Sequence, residues 1–247
     1  MNLFKIFQDI EAIDGDATER LAYYSRRSLL GLGKKALTVS APVVMASVLN
    51  EAYAQTSSVQ DVLNFALTLE YLEDDYYQKG NAAANLIPAA DKAIFTQIGK
   101  HETAHVALLK GALGAAAVAK PTFKYTATTF TDYPTFLLLA QAFEDTGVRA
   151  YKGQAGNLLG MDVLTTALQI HSVEARHASE VRRLRGLRGW VSATDEAPAA
   201  VYAGEDLTTQ ATVNLVTLTG KSADRVREAF DEPLTKAAVL AIAAPYL

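Results

Sequence analysis

The 247-residue chain contains no cysteine, which excludes disulfides, thiolate metal sites, iron–sulfur clusters and thiol catalysis. Any metal ion must be held by carboxylate, imidazole or water. Glycine and proline are sparse, at 15 and 7 residues, and alanine is abundant, so the composition leans towards helices. There is no basic surplus: 23 Lys and Arg face 27 Asp and Glu, and the net charge of -4 gives no footing for nucleic acid. No Gly-rich phosphate loop and no nucleophile-elbow motif occurs. What is present is a globular mixture, 50% hydrophobic and 20% charged, long enough for one large domain or two small ones.

Residues 1–54 have the order of an export signal. Ser25-Arg26-Arg27-Ser28-Leu29-Leu30 is followed by an apolar stretch from Ala36 to Leu49, and Ala52-Tyr53-Ala54 supplies the small-x-small pattern of a cleavage site. The arginine pair resembles a twin-arginine signal. The apolar stretch has 14 residues and contains Pro42, too short and too interrupted for a membrane-spanning helix. The competing reading is an amphipathic N-terminal helix, since Leu3, Phe4, Ile6, Phe7, Ile10 and Ile13 repeat at helical spacing.

From Val59 the pattern predicts four long helices, over about 59–79, 89–113, 134–157 and 162–187. Gly80 and Asn81 read as the first stop, Pro88 precedes the second helix, and Asp132 is a candidate cap for the third. The first and third connections are short, while Gly114 to Tyr133 is long and irregular. Short links make antiparallel neighbours, and a long one carries the chain from end to end of a bundle. The predicted organisation is therefore a signal over 1–54, a four-helix bundle with one long crossover over 55–189, and a C-terminal extension over 190–247. Within the extension, Ser222–Phe230 and Pro233–Ala244 read as short helices. Val239, Leu240, Ile242, Tyr246 and Leu247 are expected to pack on the bundle.

Each long helix carries an acid on its apolar face. Glu70 shares a stripe with Leu63, Ala66, Leu67 and Tyr77, and Glu144 with Leu137, Ala140, Val148 and Tyr151. Glu102 and His105 align with Phe95, Ile98 and Leu109; Glu174 and His177 align with Ala167, Ile170 and Val181. Burying four ionised carboxylates together is very costly unless they are compensated, and two divalent cations are the simplest compensation. Solvated edge acids, or a core network with Arg149, Arg176 and Lys152, remain the alternatives, although those cations fall on other stripes. The order is Glu70, Glu102-x-x-His105, Glu144, Glu174-x-x-His177. The gaps of 32 and 30 residues, and a Tyr seven residues after each of Glu70 and Glu144, form a weak two-helix repeat.

At these six residues the chain resembles the ferritin-like superfamily of di-iron and di-manganese carboxylate proteins. Leu63–Tyr77, His101–Leu109, Phe143–Tyr151, His171–Val181 and the run Phe230-Asp231-Glu232-Pro233-Leu234 are similar to exported bacterial ferritin-like proteins related to desiccation-related proteins. The resemblance implies an all-α ferritin-like bundle with two Fe or Mn ions. Glu102 and Glu174 would bridge them, Glu70 and Glu144 would be terminal, and His105 and His177 would bind one ion each. His171, three residues before Glu174, is either a further ligand, a supporting partner, a proton shuttle or a polar edge residue. His101 points about 100° away from Glu102 and reads as a surface or supporting residue. Glu73, Asp74 and Asp75 read as a solvated face, with Glu73 alone near enough to the stripe to be a spare ligand. Tyr77 and Tyr151 lie about 10 Å along their helices from their Glu residues and read as core packing.

The implied activities are ferroxidase, peroxidase or catalase-like chemistry, with non-catalytic metal-binding stress protection and a metal-free structural bundle as alternatives. Expected partners are the metal ions, oxygen or peroxide, the twin-arginine export machinery and further copies of the chain. The expected location is periplasmic or extracellular.

Overall fold

The computed structural model describes residues 41–193 and 198–247, with side chains from residue 59 onward. The paired arginines and the Leu3–Ile13 stripe, together with the side chains of the apolar stretch and of Ala52-Tyr53-Ala54, lie outside the described residues. The chain divides into two units, residues 1–56 and 57–247, and the bundle belongs to the second. Among the described residues no helix is long and apolar enough to cross a membrane.

Four helices make the bundle: the later part of α1 (Ala41–Ala82), α2 (Lys92–Leu113), α3 (Tyr133–Ala155) and α4 (Val163–Leu184). All four feed one core, in which Leu67, Tyr76, Phe95, Phe136 and Val181 are wholly enclosed. Helix α1 starts earlier than its periodicity predicts, with Pro42 in the first turn, where a missing N–H is tolerated. It also runs through Gly80 and Asn81 instead of stopping there. A Cβ on Gly80 would lie 2.3 Å from the Phe136 ring, so this glycine lets α3 close on α1 and does not end the helix. Asp132 does cap α3, accepting the Thr135 N–H at 2.9 Å. Gly186, at φ 73°, ends α4 with Leu187 N–H donating to Arg182 O at 2.9 Å.

The crossover runs lengthwise along α1. Asn64 Nδ2 donates to Ala116 O at 3.0 Å, and Tyr71 OH to Val118 O at 3.3 Å. Further along, Lys120 meets Asp74 at 3.1 Å and Tyr125 OH donates to Asp75 at 3.0 Å. Asp74 and Asp75 are thus not a solvated face. They anchor the long connection, which a single-helix pattern does not register. Tyr133 OH donates to Asp91 at 2.7 Å, so α3 starts at the end of the bundle where α2 starts.

The extension adds a hairpin of β1 (Thr209–Gln210) and β2 (Val213–Asn214), then α5 (Leu215–Thr219), α6 (Ala223–Arg227) and α7 (Lys236–Ala243). The hairpin and α5 were not expected, because segments of two to five residues carry no readable period. Ser222 caps α6, accepting from Arg225 N–H. Helix α7 packs on α3: Val239 is fully buried, Ile242, Tyr246 and Leu247 are partly buried, and Leu240 stays exposed. The chain leading to α7 lies tight against α3. A Cβ on Gly153 would sit 2.0 Å from Leu234 O, and Leu234 N–H donates to Arg149 O at 3.1 Å. Arg149 itself pairs with buried Glu205 at 2.9 Å. Arg182 pairs with Asp145 at 2.6 Å, and Tyr202 OH donates to the same carboxylate at 2.6 Å. The buried arginines therefore belong to the extension and α3–α4, away from the four stripe acids.

Candidate metal centre

Glu70, Glu102, Glu144 and Glu174 come one from each long helix, and each is 0% exposed. Their stripes face the bundle axis, so their carboxylates converge. His105 Nδ1 lies 3.1 Å from Glu70 Oε2, 3.1 Å from Glu102 Oε2 and 3.2 Å from Glu174 Oε1. His177 Nδ1 lies 3.0 Å from Glu102 Oε1, 3.2 Å from Glu144 Oε2 and 3.9 Å from Glu174 Oε2. Two donor sets result, Glu70–Glu102–His105–Glu174 and Glu102–Glu144–Glu174–His177. Glu102 and Glu174 belong to both, turning one oxygen towards each histidine. All six residues singled out by spacing are brought together.

This donor arrangement suits cations better than hydrogen bonds. One imidazole N–H serves a single acceptor well, not three. Donors bound at right angles around an ion at about 2.1 Å lie about 3.0 Å apart, which is the spacing found here. Glu102 Oε1 and both Glu174 oxygens are buried with no hydrogen-bond partner. Such orphaned acceptors are expensive without a cation. Burial raises Glu70 to about 7 and pushes Glu144 and Glu174 upward as well. Burial also works against charge on the imidazoles, but the carboxylates around them prevail, lifting His105 to about 12 and His177 to about 11. Two imidazolium charges still leave the acids undercompensated. The residues present therefore fit a divalent ion in each set.

The tyrosines prove to be more than packing. Tyr151 OH donates to Glu70 Oε1 at 2.5 Å, and Tyr77 OH donates to Glu144 Oε1. Each is far from the Glu of its own helix, yet antiparallel pairing of α1 and α3 delivers it to the Glu of the other. The equal offset of seven residues on both helices was the available signal. Burial, reinforced by the neighbouring carboxylates, holds both phenols well above their ordinary value, so both remain donors.

His101 turns inward as well. Its Nδ1 lies 2.8 Å from His177 Nε2, the two rings stack with centroids 5.1 Å apart, and Gln97 Nε2 lies 2.8 Å from His101 Nε2. Partial burial and the His177 charge lower the pKa of His101, which keeps it neutral. His171 joins neither donor set. Its Nε2 is buried without a partner, and burial together with the Lys152 charge lowers its pKa.

A four-helix bundle with one crossover and a buried carboxylate–histidine cluster at its centre defines a ferritin-like all-α protein whose interior allows metal binding. Residues 58–187 match the family described as Ferritin-like domain, and the chain belongs to that family. No curated protein matches the chain.

Proposed function

We propose that the chain is an exported ferritin-like protein, of the kind related to desiccation-related proteins, that holds two iron or manganese ions and serves a redox or metal-handling role under oxidative stress. The observation that carries this reading is that Glu102 and Glu174 are shared between the two donor sets. A carboxylate with one oxygen on either side suits a bridge between adjacent cations, and two divalent ions balance four acids. A shell rich in oxygen with one imidazole per ion favours iron or manganese on donor type. Such ions supply one-electron exchange with oxygen or peroxide when bound.

The chain's own residues prepare the site. Tyr151 and Tyr77 hold the outer oxygens of Glu70 and Glu144, leaving the other oxygen of each turned to a histidine. Phe95, Phe136 and Phe143 are buried in the same core and help to keep the bundle interior dry. His101 Nδ1 lies 2.8 Å from His177 Nε2 and so fixes the ring whose Nδ1 faces the carboxylates, whereas no equivalent contact is found for His105 among the described residues. Replacing His101 with Leu should weaken one of two manganese ions by about 10–100-fold in a titration of the full chain and spare the other. Equal affinities for both ions before and after the change would refute that role.

Export rests on the order of the paired arginines, apolar stretch and Ala52-Tyr53-Ala54. One experiment tests the whole reading. The protein is purified from the exporting compartment, its first residues are sequenced, its metal content is measured, and peroxide and ferrous iron are followed over time. Two Fe or Mn per chain, turnover of either substrate and a start at Gln55 are expected. Bound metal without turnover points to the non-catalytic alternative, and metal-free protein overturns the di-metal reading.

A further inference from the structure

The two-helix repeat is broken at one position. Glu70 corresponds to Glu144 and Tyr77 to Tyr151, but three residues after Glu70 stands Glu73, whereas three after Glu144 stands Gly147. A Cβ on Gly147 would lie 3.2 Å from Glu73 Oε1 and 3.4 Å from Glu174 Oε2. The bare glycine thus leaves room for both the Glu73 and the Glu174 carboxylates. Glu73, whose place near the stripe marks it as a spare ligand, is only 3% exposed. Among the described residues no hydrogen bond or ion pair reaches it. The small cavity at its head is walled by Leu69, Leu72, Phe143, Ile242 and Ala243. The one hydroxyl there, on Thr146, is spent on Ala142 O at 2.6 Å.

A carboxylate this enclosed, near four others and with no hydrogen-bond or ion-pair partner among the described residues, is costly to hold ionised. The geometry points to Glu73 as a fifth carboxylate and seventh protein donor of the metal centre, on the Glu144–His177 side. That side follows from Gly147, on the helix of Glu144, which Glu73 Oε1 and Glu174 Oε2 both approach; the latter is the Glu174 oxygen on the His177 side. The inference rests on the di-metal reading proposed above. It makes the centre unequal, with one ion held by an additional carboxylate that the repeat denies to the other. Helix α7 gains a role too, since Ile242 and Ala243 close the outer side of the cavity over Glu73.

The test titrates the metal-free full chain with Mn2+ and compares wild type, Glu73→Gln and Glu73→Asp. Gln copies the shape of a neutral acid and relieves crowding of negative charge, so the metal-free melting temperature should hold or rise. One of the two ions should bind at least about tenfold more weakly, the loss typical of a disturbed coordination shell. Asp keeps the charge but withdraws it by one methylene, and should show a similar loss. Two ions bound by Glu73→Gln at wild-type affinity would make Glu73 a protonated filler and overturn the assignment. Wild-type affinity in Glu73→Asp would reduce its role to charge alone and overturn it equally. Failure of wild type to bind Mn2+, Fe2+ or any other divalent ion defeats the di-metal reading itself, a result distinct from these.

Discussion

Glu174→Gln should move the melting temperature in opposite directions with and without metal. In the metal-free protein, both Glu174 oxygens are buried without a hydrogen-bond partner. Removing that charge should stabilise the fold by about 1–3 kcal/mol, the ordinary cost of an unsatisfied buried acceptor. For a domain of this size that is a rise of roughly 2–10 °C. The gain depends on pH in a defined sense. Burial holds Glu174 well above the ordinary carboxylate value of 4.5 in the folded state. The unfolded chain therefore ionises first as pH rises, and the wild-type penalty appears above pH 4.5 and grows until the folded-state value is passed. Below 4.5 the acid is protonated in both states, and wild type and variant should converge. With metal in excess the order reverses. An ion at a thousand times its dissociation constant stabilises by about 4 kcal/mol, and losing a carboxylate shared by both sets forfeits much of that for each ion. Thermal melts of both proteins, with Mn2+ and with chelator, at pH 4 and pH 7, check all of these signs. A variant that melts below wild type in chelator at pH 7, or keeps its full metal-induced rise, contradicts the carboxylate-cation account.

Arg149→Met should cost about 3–5 kcal/mol, the usual penalty for breaking a buried ion pair on one side only. Arg149 and Glu205 are 2.9 Å apart, with side chains 2% and 0% exposed. Burial raises Glu205 to about 7 even though Arg149 pulls it back, so without the guanidinium this acid must take up a proton or open the structure. The same guanidinium donates to Glu232 O and Ala203 O at 2.6 Å, and also to Val201 O. One side chain on α3 thus gathers three carbonyls of the extension. Its removal should expose residues 199–234 to protease before the helices of the bundle yield. Limited proteolysis followed by mass spectrometry reads this directly. The double variant Arg149→Met with Glu205→Met should recover part of the loss, because two apolar side chains replace a charge left alone. The account fails if Arg149→Met resists protease as wild type does and melts within about 1 °C of it.

Much of the site was legible before any fold was known. Glu102 and His105 are three residues apart, as are Glu174 and His177, and on a helix that spacing alone makes them neighbours. The apolar residues around Glu70 and Glu144 put those acids on inward faces by period alone. What went unread has a common cause. Gly80 looked like a helix stop because its true partner, the Phe136 ring, lies on another helix. Asp74 and Asp75 looked solvated because their partners, Lys120 and Tyr125, sit on a crossover with no periodicity. His101 looked turned away because a helical wheel does not show the His177 ring that stacks on it from α4.

The amino-acid order therefore determined the helical class, the crossover between two helix pairs and the six inward ligand-type side chains, since all of these follow from spacing along one helix or from the length of a link. Tertiary structure alone decided which groups meet across the bundle: Tyr151 with Glu70, Tyr77 with Glu144, His101 with His177, Arg149 with Glu205 and Glu73 with the space above Gly147. Those meetings depend on how far each helix is rotated and slid against its neighbours. Packing of large and absent side chains sets these two quantities, and neither has a signature in the period of a single helix.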